Sequence, residues 1–306
     1  MGELRKDYIL DRWALIATER AKRPNDFKSS KKISGSKANC PFCPGHEHMT
    51  PPATYTVRKD GKWLVRCFAN KFAAVGCGKE ENYGNGFLTS FSACGNHEVL
   101  VETPNHNKTL ADLPLEQIKL VLDSYVKRIL AFDSKYVLVF KNEGAEAGTS
   151  LVHTHTQIIA YNQVPKLVEA EVKAFKKYDS CPFCSIVRME RNGPRMVFEN
   201  DTFIAFTPFA SRFPLEVWIF PKKHIKSLVD LDDFSDLAFI LKKILLKLKR
   251  LNASYNFVIH NAPRKSDFHF HIEVLPRLSK FGGFELGTDT IINVVSPEEA
   301  AKFYRK

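Results

Sequence analysis

Segments with the hydrophobic spacing of a helix and short apolar runs typical of strands alternate along the chain, and they predict its main elements. Apolar side chains recur every three to four positions in PLEQIKLVLDSYVKRILAF, which begins at Pro114, and in DDFSDLAFILKKILLKLKRL, which begins at Asp232. This spacing is typical of amphipathic helices. Each helix is followed by a strand-like run, YVLVFKN at 136–142 and YNFVIHN at 255–261, and then by a second such run that contains a His-x-His motif.

The same order of motifs and elements occurs twice: a Cys pair, strands, a long helix, a strand and a His-x-His strand. Strands with local connections and one major helix per half predict an α+β fold with antiparallel sheets and flanking helices. We place the repeats at 1–165 and 166–306, and KLVEAEVKAFKKY at this boundary as a short helix that bridges the halves. The matching motifs are Cys40-Pro-Phe-Cys43 and Cys181-Pro-Phe-Cys184, then His153-Thr-His155-Thr-Gln157 and His269-Phe-His271-Ile-Glu273.

Composition narrows the class of protein. The 306 residues are 44% hydrophobic, which permits a substantial core, and carry a net charge of +11. Positive charge suits phosphorylated substrates, but it also fits a zinc-stabilised nucleic-acid-binding protein. The basic residues are spread along the chain, and the dense run at 242–250 is typical of a solvated helix face, which disfavours nucleic acid as a partner.

The N-terminus predicts no targeting to a membrane or to secretion. MGELRKDYILDRW has early charges and lacks the apolar core of a secretory signal. No apolar run approaches the ~20 residues that a membrane-spanning helix needs. We therefore expect a cytoplasmic protein without a membrane partner.

The cysteines predict metal sites. A chain with seven cysteines and no secretory signal is a poor candidate for a disulfide framework, and a Cys-x-x-Cys turn can place two thiolates on one zinc ion. Because the Cys pairs are duplicated, their partners should be duplicated too. This favours the first histidine of each His-x-His motif, His153 and His269.

The spacing leaves the fourth ligand of each metal open. His46 and His48 lie close in sequence to the first Cys pair, whereas His106 and His224 occupy comparable places in the two halves. We favour the second two. Two thiolates and two imidazoles fill a tetrahedron and leave no open position, so we expect about two structural Zn²⁺ ions per chain.

The first His-x-His motif also carries candidate catalytic chemistry. In a strand, residues i, i+2 and i+4 share a face, so His153, His155 and Gln157 should project together. With His153 held by zinc, His155 is presented as a nucleophile, and Gln157 offers an amide donor to a phosphoryl oxygen beside it. Spacing alone leaves a second metal ligand or a packed strand histidine as alternatives for His155.

The stretch from Asn142 to Gln157, NEGAEAGTSLVHTHTQ, resembles the galactose-1-phosphate uridylyltransferases, a branch of the histidine-triad superfamily built from two fused histidine-triad-like repeats. Further matches cover nearly the whole chain. They are Arg20-Ala-Lys22-Arg23-Pro24, Cys40-Pro-Phe-Cys43-Pro-Gly, Thr103-Pro-Asn-His106-Asn-Lys-Thr-Leu and His269-Phe-His271-Ile-Glu-Val-Leu-Pro-Arg.

The resemblance implies a role for each motif residue. His155 is the nucleophile, and Asn142, Ser150 and Gln157 contact the substrate phosphates or orient the nucleophile, while Arg20 and Arg23 belong to a phosphate-contacting motif. His271 occupies the duplicated nucleophile position, as a relic or a structural residue. Family members without the second Cys pair use a differently composed iron or zinc site, in which a histidine at the place of His260 takes part. The implied metal ligands are Cys40, Cys43, His106 and His153 at site 1, and Cys181, Cys184, His224 and His269 at site 2.

The implied reaction is a ping-pong exchange. A UDP-glucose–hexose-1-phosphate uridylyltransferase of galactose metabolism moves UMP between UDP-glucose and galactose 1-phosphate through a covalent nucleotidyl-histidine. Many relatives carry prolines around the first histidine, but Val152 and Thr154 stand there in this chain. A subgroup with non-proline spacers includes ADP-glucose phosphorylases, which transfer AMP and use phosphate as the acceptor. The identity of the nucleotide base, uracil or adenine, therefore stays open. The resemblance also implies a homodimer as the expected assembly.

Overall fold

A computed structural model describes residues 2–22, 35–76, 83–85 and 87–306. Arg23 of the predicted phosphate-contacting motif lies outside the described residues. The six helices of these ranges are α1 (Leu115–Leu130), α2 (Lys166–Phe175), α3 (Pro182–Glu190), α4 (Ser235–Arg250), α5 (Gly283–Thr288) and α6 (Pro297–Arg305).

The described strands are mostly short, and most of them belong to one large sheet. They are β1 (Glu3–Lys6), β2 (Trp13–Ile16), β3 (Ala53–Lys59), β4 (Lys62–Ala69), β5 (Tyr83–Asn85), β6 (Leu88–Ser90), β7 (Gly95–Val101), β8 (Tyr136–Glu143), β9 (His155–Tyr161), β10 (Met196–Glu199), β11 (Phe203–Phe206), β12 (Val217–Pro221), β13 (Tyr255–His260), β14 (His271–Pro276) and β15 (Ile291–Asn293).

The large sheet shows the duplication directly. Over the described residues, its ten strands run in the order β10-β11-β12-β14-β13-β8-β9-β7-β4-β3, and every pair is antiparallel. Equivalent strands of the two halves follow in the same order outward from the central β8–β13 pair, in which Asn142 lies opposite Asn256. The predicted α+β class with antiparallel sheets and flanking helices is confirmed.

The two long helices form where the apolar spacing predicts them, and they share one core. Apolar side chains of α1, such as Val121 and Leu122, and of α4, such as Leu241 and Leu245, pack in one buried cluster with strand residues of both halves, among them Val139. Burial of these stripes stabilises both helices and ties the two half-sheets together, because most helix stability comes from packing of an amphipathic face.

The N-terminal strands pack against the second half of the molecule. β1 and β2 form a small sheet with β15, and the Ala17 N–H donates to the Asn293 carbonyl oxygen at 2.8 Å. Tyr8 lies with its ring centroid 6.0 Å from that of Trp218, in a second apolar cluster built on α3. Within the described ranges, no helix is long and apolar enough to cross a membrane.

The His-x-His strands begin one histidine later than the spacing predicts. β9 starts at His155 and β14 at His271, whereas His153 and His269 precede them, outside the strands. The first histidine of each motif therefore does not share a strand face with the second. The reason is a tertiary contact in each half: His153 Nε2 lies 2.7 Å from the Thr103 carbonyl oxygen, and His269 Nε2 lies 3.0 Å from the Pro221 carbonyl oxygen.

Candidate active site and metal centres

Four buried side chains of the first half converge on one point: Cys40, Cys43, His106 and His153. His153 Nδ1 is 3.6 Å from the Sγ atoms of both cysteines, and His106 Nδ1 is 3.3 Å from Cys43 Sγ. A tetrahedral zinc ion with ordinary Zn–S and Zn–N bonds separates its sulfur and nitrogen ligands by about 3.5 Å. The four donors therefore fit a closed zinc site.

The orientation of the histidine rings supports this fit. His153 Nε2 lies 2.7 Å from the Thr103 carbonyl oxygen, and His106 Nε2 lies 3.2 Å from the Gly35 carbonyl oxygen. An Nε2–H that donates to a carbonyl leaves the Nδ1 lone pair free for a metal. His46 Nδ1 instead donates a hydrogen bond to the Cys40 carbonyl oxygen at 2.7 Å. Neither His46 nor His48, the two local alternatives, belongs to the cluster.

The second half repeats the arrangement with Cys181, Cys184, His224 and His269. His269 Nδ1 lies 3.5 Å from both sulfur atoms, and His224 Nδ1 lies 3.6 Å from Cys184 Sγ. Asp267 supports His224 Nε2 at 3.2 Å. This cluster is less buried than the first, but its donor set and spacing fit the same closed tetrahedron.

His155 stands at the first position of β9 with its ring fixed. Its Nδ1 lies 2.9 Å from the His153 carbonyl oxygen, so the neutral ring carries its proton there and leaves the lone pair on Nε2. The residue is 8% exposed. Burial, together with the charge of Lys141, lowers the pKa of His155 to about 4. The ring is therefore neutral near pH 7, as a nucleophile requires.

A buried charged network lies behind this histidine. Lys141 Nζ donates to the His155 carbonyl oxygen at 3.0 Å, to Thr154 Oγ1 at 2.7 Å and to a Glu102 carboxylate oxygen at 2.9 Å. Glu102 also accepts hydrogen bonds from Thr154 and Thr156, each at 2.5 Å. Although burial alone would raise it, these partners hold the pKa of Glu102 below its usual value. The network fixes the backbone that carries His155.

Two amide side chains, one on β9 two residues after His155 and one on the neighbouring strand β8, have oxygen atoms that accept hydrogen bonds. Gln157 Oε1 is 2.9 Å from His97 Nε2, and the Asn256 side-chain N–H donates to Asn142 Oδ1 at 2.8 Å. An amide with its oxygen engaged presents its NH₂ group to other partners. Gln157 and Asn142 therefore offer donors of the kind that bind phosphoryl oxygens.

The loop between β8 and β9 contains two glycines with positive φ angles. Gly144 has φ +84° and Gly148 has φ +85°. A Cβ at Gly144 would lie 2.2 Å from Ser254 Oγ, so no larger residue fits there. Ser150 follows as an exposed residue. Arg20 lies in the turn Thr18–Lys22 after β2.

The duplicated nucleophile position is closed. His271 repeats the ring geometry, with Nδ1 3.0 Å from the His269 carbonyl oxygen, but it is 0% exposed. Its ring is stacked between Phe220 at 4.7 Å and His260 at 4.5 Å. A substrate phosphate cannot reach it, which agrees with a structural role rather than a second active centre.

His260 belongs to a third group of side chains, not to the second Cys–His cluster. His260 Nδ1 is 3.2 Å from a Glu171 carboxylate oxygen, and Arg212 donates to Glu273 at 2.8 Å. Although burial opposes it, Glu171 raises the pKa of His260. Glu171, His260, His271 and Glu273 lie close enough to hold a metal, and sequence reasoning did not group them.

Comparisons with known proteins agree with this architecture. A family profile described as "Galactose-1-phosphate uridyl transferase, N-terminal domain" matches residues 2–165, and a "Domain of unknown function (DUF4921)" matches residues 118–303. An ADP-glucose phosphorylase of Arabidopsis thaliana is 35% identical over 99% of this chain and 92% of the relative. A galactose-1-phosphate uridylyltransferase of Thermotoga maritima is 31% identical over 100% of this chain and 98% of the relative.

A solved structure extends the likeness to three dimensions. The crystal structure of an ADP-glucose phosphorylase from Arabidopsis thaliana with bound ADP-glucose superimposes with a TM-score of 0.84 at 34% identity, and covers 100% of this chain and 98% of that one. The profile match spans more than half of the chain, and the relatives match it from end to end. This chain therefore belongs to the galactose-1-phosphate uridylyltransferase family of nucleotidyltransferases.

Proposed function

We propose that this protein transfers a nucleotidyl group through a covalent bond to His155. One observation carries the proposal: the ring is neutral, nearly buried and bonded through Nδ1 to the His153 carbonyl, so that the lone pair resides on Nε2. A histidine held in one tautomer is prepared for nucleophilic attack.

The reaction proceeds in two displacements. Nε2 of His155 attacks the α-phosphorus of a nucleoside diphosphate glucose, a P–N bond forms, and the bond to glucose 1-phosphate breaks. In the second step an oxygen of the acceptor phosphate attacks the same phosphorus and the P–N bond breaks. While the bond to phosphorus exists, the ring carries positive charge, which the His153 carbonyl stabilises at Nδ1.

The side chains around His155 position the phosphates and stabilise charge. The NH₂ groups of Gln157 and Asn142 donate to non-bridging oxygens, and Ser150 and Arg20 add a hydroxyl and a cation. Phosphoryl transfer depends mainly on such positioning and charge stabilisation. We assign Arg23 to the same role from the sequence motif.

Both Cys–His clusters hold zinc with a structural role in this proposal. The two thiolates and two imidazoles of either cluster would hold zinc as a cross-link and would leave no position open for a substrate. The first cluster acts on the site through chain connectivity, because His153 is two residues from His155 and supplies its carbonyl partner. We also expect a cytoplasmic location and a homodimer, and light scattering tests the homodimer.

Two donor and acceptor pairs are candidates. UMP exchange between UDP-glucose and galactose 1-phosphate is supported by the family profile and by the Thermotoga maritima relative. ADP-glucose phosphorolysis is supported by the Arabidopsis thaliana relative and by its structure. The higher identity of that relative and the non-proline spacer Thr154, which the Lys141 network binds, favour the adenylyl reaction.

A trapping assay tests the proposal. The protein is incubated with UDP-glucose or ADP-glucose labelled in the α-phosphate, and protein-bound label is measured after denaturation. We expect label that is stable to base and released by acid, with ADP-glucose as the better donor. His155→Gly should abolish labelling, whereas the exposed His48→Gly should label like the wild type. No labelling by either donor, or full labelling of His155→Gly, contradicts the proposal.

A further inference from the structure

His97 lies on the same face of the sheet as His155 and Gln157. β7 pairs with β9 so that His97 is opposite Ile159 and Val99 is opposite Gln157. Directly paired residues of antiparallel strands point to the same face, and diagonal neighbours remain within reach of long side chains. His97 is therefore diagonal to Gln157, and its ring reaches the Gln157 amide.

Neighbouring backbone fixes which ring nitrogen of His97 carries the proton. The Ala74 N–H donates to Nδ1 at 3.1 Å, so Nδ1 is an acceptor. Burial lowers the pKa of His97, which favours the neutral ring. A neutral ring with a lone pair on Nδ1 has its proton on Nε2 and can only donate there.

Among the described residues, two side chains lie within hydrogen-bond distance of His97 Nε2, and only one of them can accept. Asn70 Nδ2 lies 3.1 Å away, but the Asn70 amide is oriented by its Oδ1, which accepts the Phe72 N–H at 2.9 Å. Nδ2 is therefore a donor and cannot accept. Gln157 Oε1, at 2.9 Å, is the acceptor.

We propose that His97 is a positioning residue that sets the orientation of the Gln157 amide, so that its NH₂ group and not its oxygen faces the phosphoryl group. The inference rests on the proposed function of His155. With the opposite orientation, the amide oxygen would face phosphate oxygens, and attraction would become repulsion. The Ala74 N–H thus fixes the tautomer of His97, and His97 in turn fixes the orientation of the Gln157 amide.

A double-mutant cycle tests this role. His97→Phe keeps a planar ring and removes the donor, and Gln157→Ala removes the amide. The readout is the rate at which labelled nucleotide appears on protein in a single turnover with ADP-glucose or UDP-glucose. Since removal of a donor of this kind costs about 10²–10³-fold, loss of its orientation should slow His97→Phe by about 10–100-fold. The double variant should be no slower than Gln157→Ala alone, because His97 acts only through Gln157.

Controls separate this role from a structural one. His48→Phe, on an exposed histidine, should label at the wild-type rate. Zinc content and Tm of His97→Phe should stay near those of the wild type. A His97→Phe variant that labels at the wild-type rate, or losses that multiply in the double variant, overturns the inference and leaves the proposed function intact. No labelling of the wild type by either donor overturns both.

Ring-nitrogen NMR on the unaltered protein gives a second measurement that needs no variant. ¹⁵N chemical shifts of His97 near pH 7 should report a neutral ring with the proton on Nε2. A proton on Nδ1, or a charged ring, contradicts the inference whether or not His97→Phe folds.

Discussion

Replacement of Lys141 by methionine tests the buried network behind His155. Lys141 is 0% exposed and bonds the carboxylate of Glu102, which is also 0% exposed. Methionine fills a similar volume but leaves the carboxylate without its countercharge. It also removes the donor to the His155 carbonyl oxygen at 3.0 Å. The variant should therefore lose both stability and the position of the nucleophile.

The size of the effect follows from burial. Removal of one partner of a buried ion pair costs about 3–5 kcal/mol. An unfolding entropy of about 2.1 cal/mol/K per residue corresponds to roughly 0.6 kcal/mol per degree for a chain of this length, so Tm should fall by about 5–8 °C. Addition of Glu102→Gln removes the unpaired charge and should restore part of the loss.

The pH dependence of the stability of Lys141→Met gives a further test. Without Lys141, burial raises the pKa of Glu102 above its value in the unfolded chain. The folded variant then binds more protons than the unfolded one, so its stability falls as pH rises through that range. The deficit relative to wild type should be larger at pH 8 than at pH 5.

Calorimetry and the single-turnover labelling rate measure the two consequences. We expect labelling at least about tenfold slower, because a small misplacement of a reacting group can cost about 10²-fold. A Lys141→Met protein with Tm within about 1 °C of wild type refutes the account in which Lys141 neutralises the buried Glu102 carboxylate.

Three further outcomes follow from the site. Cys43→Ser should lower zinc from about two ions per chain to about one, by elemental analysis, because Cys181 and its partners form a separate cluster. His271→Phe should still label His155, because its ring is buried; loss of labelling with an unchanged Tm would contradict this. Gly144→Ala should slow labelling and lower the unfolding free energy by about 1–3 kcal/mol, measured in urea, because its backbone is strained for any other residue.

The sequence predicted those features that its duplication encodes. The two Cys–His sets, with the choice of His106 and His224, followed from comparing equivalent places in the two halves, and the structure brings each set together. The long helices followed from the apolar spacing within each half. The start of β9 was predicted too early, because the turn of the His153 ring toward a carbonyl depends on a tertiary contact with Thr103.

The groups behind and beside the nucleophile could not be predicted, because they depend on strand order. Lys141 was visible as a cation in an apolar strand, but its partner Glu102 follows β7, and β9 lies between them. His97 meets Gln157 only because β7 neighbours β9 in one register. A strand pattern gives the face of each residue but not the neighbouring strand.

Mapping of the covalent intermediate tests the central claim most directly. Protein quenched in base after incubation with ADP-glucose or UDP-glucose is digested, and the modified peptide is fragmented in a mass spectrometer that locates the nucleotide on one residue. The account predicts one AMP or UMP per chain, on His155. Modification of another residue, His271 included, or turnover without any covalently bound nucleotide, contradicts it.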